Sequence, residues 1–495
     1  MTVRPPLRAA GSAPAEPTGP PALPARWDPL VTSFLAERSV FDEVLRGFGT
    51  PVNLLFPQVF ADNIDRLTAV LDASGTGYRI CYAHKVNRSR ALVRTAAGHG
   101  IGVDVASSGE LESALAAGFT PAQIEVTGPK GEAFLRELVG SGVTVNVDNE
   151  WELQTLADLA DPARPVPVLL RVSGFAGSQV SRFGIPVPRM EYALAILARH
   201  RDRLVFQGTA FHLDTGDIGE RVRAADTCFA LLEHAYAAGL APTVLNIGGG
   251  LRQVFTADGD RFDDYVSRLR ASLGGAGTAM SWGNNTFGYH VDGAAVRGTP
   301  IFHKYANTVP ADEMLADLLN APLARHGGRS IARVAADNLL DIWLEPGKAL
   351  ADHTGITVAR VEFVKSAADG SVLVHVDISR DAVTPADQEV MADPLLLPGE
   401  RPAPAENPVG VFLAGRLCLE RDLVTTHMVW LPWLPRPGDL IVFPNTAGYH
   451  MDLSAAAAAM HPPVPKVAVL RHDGHFRAIP DADHRPTIPE SPEVS

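Results

Sequence analysis

The chain reads as an α/β protein, a (β/α)8 barrel joined to a second, mainly antiparallel β domain, and three observations carry that expectation. Eight strand-like runs recur at regular spacing between Tyr78 and Glu345, with stretches of helical spacing rich in Ala, Leu, Glu and Arg between them. After Glu345 the β-type runs continue without intervening helices. The 495 residues are enough for a barrel, which needs about 250 residues, plus a further domain.

The eight runs cover residues 78–85, 101–106, 123–127, 143–147, 166–172, 204–212, 243–247 and 339–345. Clear helical stretches include 109–117 and 221–238. The later β-type runs are 355–365, 372–378, 409–413, 440–443 and 467–470, and the Pro-rich segment 394–408 is expected to be a loop across that domain. Residues 61–350 are assigned to the barrel, and 26–60 with 351–480 to the β domain. Residues 1–25, dominated by Pro, Ala and Gly, and 481–495 are expected to be disordered, because such segments bury too little apolar surface to offset ordering entropy. The irregular stretch 274–308 holds Trp282, Asn284, Asn285, Tyr289 and His290, and loops this long are often functional lids.

Composition narrows the function classes. A formal net charge of -13, with no block of Lys or Arg, works against nonspecific binding to nucleic acid or anionic membrane. A hydrophobic content of 46% suits a well-packed globular enzyme acting on a small molecule. The three cysteines, Cys81, Cys228 and Cys418, form no CxxC pair, so neither a disulfide framework nor a zinc cluster is expected, and a reducing compartment is. No apolar run approaches the ~18–20 residues of a membrane span, and the first residues lack the apolar core of a signal peptide. A cytoplasmic protein is the expectation.

Barrel enzymes place their chemistry at the C-terminal ends of the strands, and polar residues fall there repeatedly. Lys85 ends the first run; Asp104 and Ser107, Thr127 and Lys130, then Asp148 and Asn149 follow the next three. Arg171 ends the fifth, His212 and Thr215 the sixth, Gly248, Gly249 and Gly250 follow the seventh, and Glu345 ends the eighth. Each alone has a plain structural reading: Lys85 as a strand cap, Arg171 as a partner of Asp148, the glycines as a tight turn, His212 as a hydrogen-bonded core residue. Their shared register at one rim favours a site.

The set matches the needs of pyridoxal phosphate, which requires an amine, a carboxylate at the ring nitrogen, donors for the phosphate and a surface against the ring. Lys85 offers the amine, Glu345 the acid, the glycine triplet the backbone donors and His212 a ring face. Clustered His and carboxylate ligands, which a metal-dependent hydrolase would need, are not evident at the rim, where His212 stands alone.

These motifs together resemble the alanine-racemase-like, fold type III pyridoxal phosphate enzymes, and within them the diaminopimelate and ornithine decarboxylase group. The resemblance spans about Phe56 to Val469 and rests on Ala83-His84-Lys85-Val86-Asn87, Asp104 through Leu111, Ser181-Arg182-Phe183-Gly184, Phe211-His212, the three glycines, Glu345-Pro346-Gly347, Cys418 with Asp422, and Gly448-Tyr449. It implies Lys85 as the Schiff-base lysine, His212 as the ring-stacking residue, Glu345 as the partner of the ring nitrogen, and Thr215, Gly248, Gly249, Gly250 and Tyr449 as phosphate contacts. Asp104, Arg171 and Lys348 join the expected cofactor-binding set. It also implies a head-to-tail homodimer in which Cys418 of one subunit completes the other's site as the donor of the proton to Cα.

The sequence departs from that pattern in three places. Leu419 stands where an acid commonly follows the cysteine, leaving Glu420 and Asp422 as the nearest candidates for substrate binding. Lys348 replaces the usual arginine after Glu-Pro-Gly, keeping the charge but losing the bidentate fork. Segment 274–308 is expanded. The expected function is decarboxylation of a diamino acid or of a larger, conjugated amino acid; the alternatives are a racemase of the same fold or a pyridoxal phosphate-binding protein without turnover.

Overall fold

The computed structural model describes residues 21–384, 389–455 and 457–486, and at 303 and 304 the backbone alone. After two helices, Pro29–Ala36 and Arg38–Phe48, strand β1 (Val52–Leu55) leads into the helix Pro57–Ser74. The barrel follows, built from β2 (Tyr78–Ala83), β3 (Gly102–Val105), β4 (Ile124–Val126), β5 (Thr144–Val147), β6 (Val166–Ser173), a short β7 (Ile185–Pro186) beside it, β8 (Leu204–Ala210) and β9 (Val244–Asn246). A small hairpin, β10 (His290–Asp292) and β11 (Ala295–Arg297), precedes the last barrel strand, β12 (Asp341–Leu344). All barrel pairings are parallel, and the ring runs β2-β3-β4-β5-β6-β8-β9-β12, with β5–β6 and β12–β2 completing the closure.

Valine, isoleucine and leucine dominate these strands because a parallel strand is covered on both faces, by its neighbours' side chains inside and by helices outside. Val103, Val105, Ile124, Val126, Val145, Val147 and Val168 are all fully buried. Polar residues just past the strand ends start the next helix. Ser89, Ser107, Asn149 and Asp217 each accept an N–H of the first helical turn through the side chain. No helix among the described residues is long and apolar enough to cross a membrane.

The second sheet is mainly antiparallel and draws on both ends of the chain. It comprises β1 with β13 (Gly355–Ser366), β14 (Val372–Val376), β15 (Leu395–Leu397), β16 (Val409–Ala414), β17 (Val429–Leu431), β18 (Leu440–Phe443), β19 (Lys466–His472) and β20 (His475–Pro480). β1 lies between β13, antiparallel, and β19, parallel. One cluster, from Phe34 and Phe41 to Val467 and Phe476, packs the N-terminal helices on this sheet.

The expectation of disorder is corrected at both ends. Residues 1–20 and 487–495 lie outside the described residues, but Leu23 is 1% exposed and its N–H donates to Asp393 Oδ2 at 2.8 Å. Asp481 is likewise buried, accepting the N–H groups of Arg90 and Ala91 at a helix start. An apolar anchor in one case and a charge at a helix N-terminus in the other offset the local composition. The first barrel strand also stops at Ala83, where its ladder with β3 ends, so Lys85 sits in a 3-10 turn, His84–Val86.

Candidate active site

The turn that carries Lys85 is clamped by a loop of the second domain. Asn87 Nδ2 donates to the Ala447 carbonyl at 2.9 Å, the Tyr449 N–H to the Val86 carbonyl at 2.9 Å, and the Arg88 N–H to Asp452 Oδ2 at 2.7 Å. Tyr449 adopts φ +73°, a left-handed conformation that an L side chain holds only when its surroundings enforce it. The second domain thereby sets one wall of the barrel mouth.

Lys85 Nζ lies 3.6 Å from Asp104 Oδ2, and Thr127 Oγ1 donates to Asp104 Oδ1 at 2.6 Å. Burial works against the ammonium, but Asp104, Tyr449 and Glu345 outweigh it and raise the Lys85 pKa above the ordinary lysine range. Glu345, just beyond β12, is buried. Burial, with Asp104, raises its carboxyl above the usual range, while Lys85 and Arg171 act the other way. Its Oε1 accepts from Asn246 Nδ2 at 2.8 Å. Burial, joined by Lys85 and Arg171, depresses His212 to about 3, so its ring is neutral; its Nδ1 accepts the Gly249 N–H at 3.3 Å.

The glycine triplet threads between strand ends. A Cβ on Gly248, Gly249 or Gly250 would stand 2.1 Å from the Phe211 carbonyl oxygen, 2.4 Å from that of Glu345 or 2.0 Å from that of Leu213. No other residue fits there. The Gly248 N–H is taken by Asn246 Oδ1 and the Gly249 N–H by His212 Nδ1, which leaves Gly250 as the triplet's part of the cavity wall.

That cavity measures about 390 Å³ and brings together Lys85, His212, Gly250, Glu345, Lys348 and Tyr449 from the expected set. The structure adds Asp214, Arg252, Phe255, Ile301, Tyr305 and His450. Lys348 Nζ is 2.6 Å from Asp214 Oδ1, so its charge has a partner within the chain. Arg221, which carries no sequence signal beyond a helical position, is 1% exposed and donates to the carbonyls of Leu213, Thr215 and Gly249, bracing the loop after β8 against the glycine triplet.

The other expected residues lie off the cavity wall. Asp104 acts from beneath Lys85, and the Arg171 guanidinium lies over the Phe183 ring at 4.7 Å. The Thr215 hydroxyl accepts the Asp217 N–H. Cys418 and Glu420 are exposed in the loop after β16 and do not line the cavity of their own chain. Asp422, a candidate for substrate binding, is 6% exposed and accepts the N–H groups of Arg380 and Leu417, so within this chain it shapes that loop.

This donor set fits pyridoxal phosphate: an amine paired with a buried acid, a second buried acid across the cavity, a neutral imidazole, and a glycine beside lysine and tyrosine for an anion. The volume falls in the ordinary range for a small-molecule site, about 300–1,000 Å³.

Residues 61–281 match the model of the pyridoxal-dependent decarboxylase, pyridoxal binding domain. An uncharacterized protein of Sinorhizobium fredii, y4yA, is 32% identical and aligns over 95% of this chain and 96% of its own length. Diaminopimelate decarboxylase of Vibrio cholerae is 24% identical over 89% of this chain and 91% of that one. Among solved structures, diaminopimelate decarboxylase of M. jannaschii in complex with L-lysine superposes with a TM-score of 0.66 at 18% identity, covering 88% of this chain and 91% of that one. The Paramecium bursaria Chlorella virus arginine decarboxylase bound to agmatine gives 0.63 at 18%, covering 88% and 100%.

Proposed function

From the premise that the chain belongs to the fold type III pyridoxal-dependent decarboxylases, we propose that it removes the carboxylate of an amino acid, with Lys85, Glu345 and His212 as the cofactor-facing residues. The convergence of those three side chains on one cavity at the C-terminal mouth of the barrel carries this reading. When bound, pyridoxal phosphate takes up the electron pair that departing carbon dioxide leaves on Cα.

The chain's residues set the conditions for that step. Lys85 would provide the amine that anchors the cofactor aldehyde, and Asp104, 3.6 Å from it, is the carboxylate beside that amine. Glu345, its charge favoured by Lys85 and Arg171, would pair with the ring nitrogen, and His212, neutral, would cover a ring face without adding positive charge. Gly250, Tyr449 and Lys348 form the anion end, with Arg221 holding the loops in place. Phe255, Ile301 and Tyr305 give the cavity an apolar section of wall.

Two finer points belong to the same proposal. Cys418, exposed and absent from its own cavity wall, returns the proton to Cα across a homodimer interface, so each site is completed by a second copy. The substrate is larger than lysine or ornithine: a second cavity of about 270 Å³, walled by Phe287, Phe302, Met391 and Arg380, adjoins the first and shares Ile301 and Tyr305 with it. Five of its lining residues come from the expanded 274–308 segment that the family pattern lacks, Ile301 and Tyr305 included.

The test is carbon dioxide release from purified protein supplied with pyridoxal phosphate, screened over L- and D-lysine, ornithine, arginine, diaminopimelate and conjugated diamino acids. Release from at least one, lost together with the visible cofactor band in Lys85→Ala, is the expected result. Exchange of the Cα proton without gas release would identify a racemase instead, and cofactor binding without either would identify a binding protein.

A further inference from the structure

Below the mouth, the barrel interior holds a charged residue that the reaction scheme above leaves unused. Glu125, in the middle of β4, is 0% exposed. Its Oε1 accepts from Asn146 Nδ2 at 2.8 Å and from Asn246 Nδ2 at 2.9 Å. The same two amides donate to Glu345 Oε1, at 3.3 and 2.8 Å. Two carboxylates that share both donors lie within a few ångströms of each other, away from water, and both cannot ionise there at reasonable cost.

The hydrogen-bond inventory agrees. The two amides reach both Glu125 oxygens and Glu345 Oε1, and among the described residues the Asn146 carbonyl oxygen is buried without a donor. A carboxyl proton would add a donor to this layer. The ionisable groups facing the pair are Asp104 on β3, the Cys81 thiol on β2, and Lys85 and Arg171 on the Glu345 side. The two cations favour charge on Glu345, whereas burial, then Glu345 and Asp104, push the Glu125 carboxyl up.

We propose that Glu125 is a positioning residue: it holds the single proton of a carboxyl pair, donates it as a hydrogen bond to Glu345, and thereby fixes Glu345 as the charged, correctly turned member that meets the cofactor ring. No bond to the substrate is involved. The purpose of the pair rests on the cofactor reading, but the proton belongs to the apoprotein, so the two stand or fall separately.

Infrared difference spectra of the apoprotein at neutral pH test the proton itself. Beyond the signal of Asp393, a carbonyl-stretch component of a buried, protonated carboxyl is expected in the unsubstituted protein, lost in Glu125→Gln and retained in Glu345→Gln. No such band, or a band lost in Glu345→Gln and kept in Glu125→Gln, overturns the assignment. The consequence is read by cofactor titration: Glu125→Leu, which cannot donate, should bind pyridoxal phosphate about tenfold more weakly, the equivalent of one pKa unit, and Glu125→Gln should restore affinity. Equal affinity in all three proteins removes the positioning role. Should Glu125→Leu fail to fold, the infrared comparison still decides where the proton sits, and a Glu125→Gln affinity no different from that of Glu345→Gln overturns the role.

Discussion

Replacing Asp104 with asparagine removes the negative charge nearest Lys85 while keeping a side chain of the same shape that can still accept from Thr127. At 3.6 Å and an effective dielectric of about 20, two unit charges attract by about 5 kcal/mol. The Lys85 side chain is 38% exposed, so solvent screening reduces this to about 2 kcal/mol. Burial and Arg171, which both disfavour the ammonium, then act against a smaller opposing charge, and the Lys85 pKa should fall by about one to two pH units. Competitive acylation of the apoprotein over a pH series, with the peptide containing Lys85 quantified by mass spectrometry, measures this directly. The amine of Asp104→Asn should react at lower pH than that of the unsubstituted protein. An unchanged titration would show that Asp104 does not control Lys85 and would refute the electrostatic account of the site.

Cys418→Ala should leave cofactor affinity intact while slowing product formation or diverting it toward abortive transamination, as read by product analysis; an unchanged rate and product profile removes Cys418 from the scheme. Asp393 anchors the Leu23 N–H, and burial pushes its carboxyl up to about 7 even though the Leu23 N–H, His427 and the Trp430 N–H pull it down. A carboxyl raised on folding contributes stability that is full below its unfolded pKa, near 4, and lost as pH rises through about 7. Denaturation between pH 4 and 8 should therefore show a stability decline of a few kcal/mol that flattens in Asp393→Asn, and identical slopes would contradict it.

The barrel strands were legible because parallel strands buried on both faces read as short unbroken apolar runs, and every expected run overlaps an observed strand. Their ends were less so. The sixth run extends to His212, yet β8 stops at Ala210, because past that point the backbone turns to bring His212 toward the cavity. Glu125 did carry a signal, a charge between Ile124 and Val126 in a strand otherwise apolar, but nothing in the sequence tells whether such a residue faces the barrel axis or the helices. Lys348 read as a cofactor-binding cation in place of an arginine, and only its distance to Asp214 showed the charge to be shared. The packed segments at 21–25 and 481–486 were missed because composition averages over a window, whereas one buried leucine or one aspartate at a helix N-terminus is enough to tie a segment down.

The order of strands and helices, the helix caps and the alignment of polar residues with one rim were written in the sequence, since each depends on periodicity and side-chain chemistry within a few residues. Which of those rim residues share a cavity depended on tertiary structure. Closure of the barrel sets how neighbouring strands are staggered, and the wall bearing Tyr449 arrives from more than 350 positions along the chain, as the bond from Asn87 to Ala447 shows. The charge states of Lys85, His212 and Glu345 were decided there too, because a pKa follows from burial and from neighbours brought close in space.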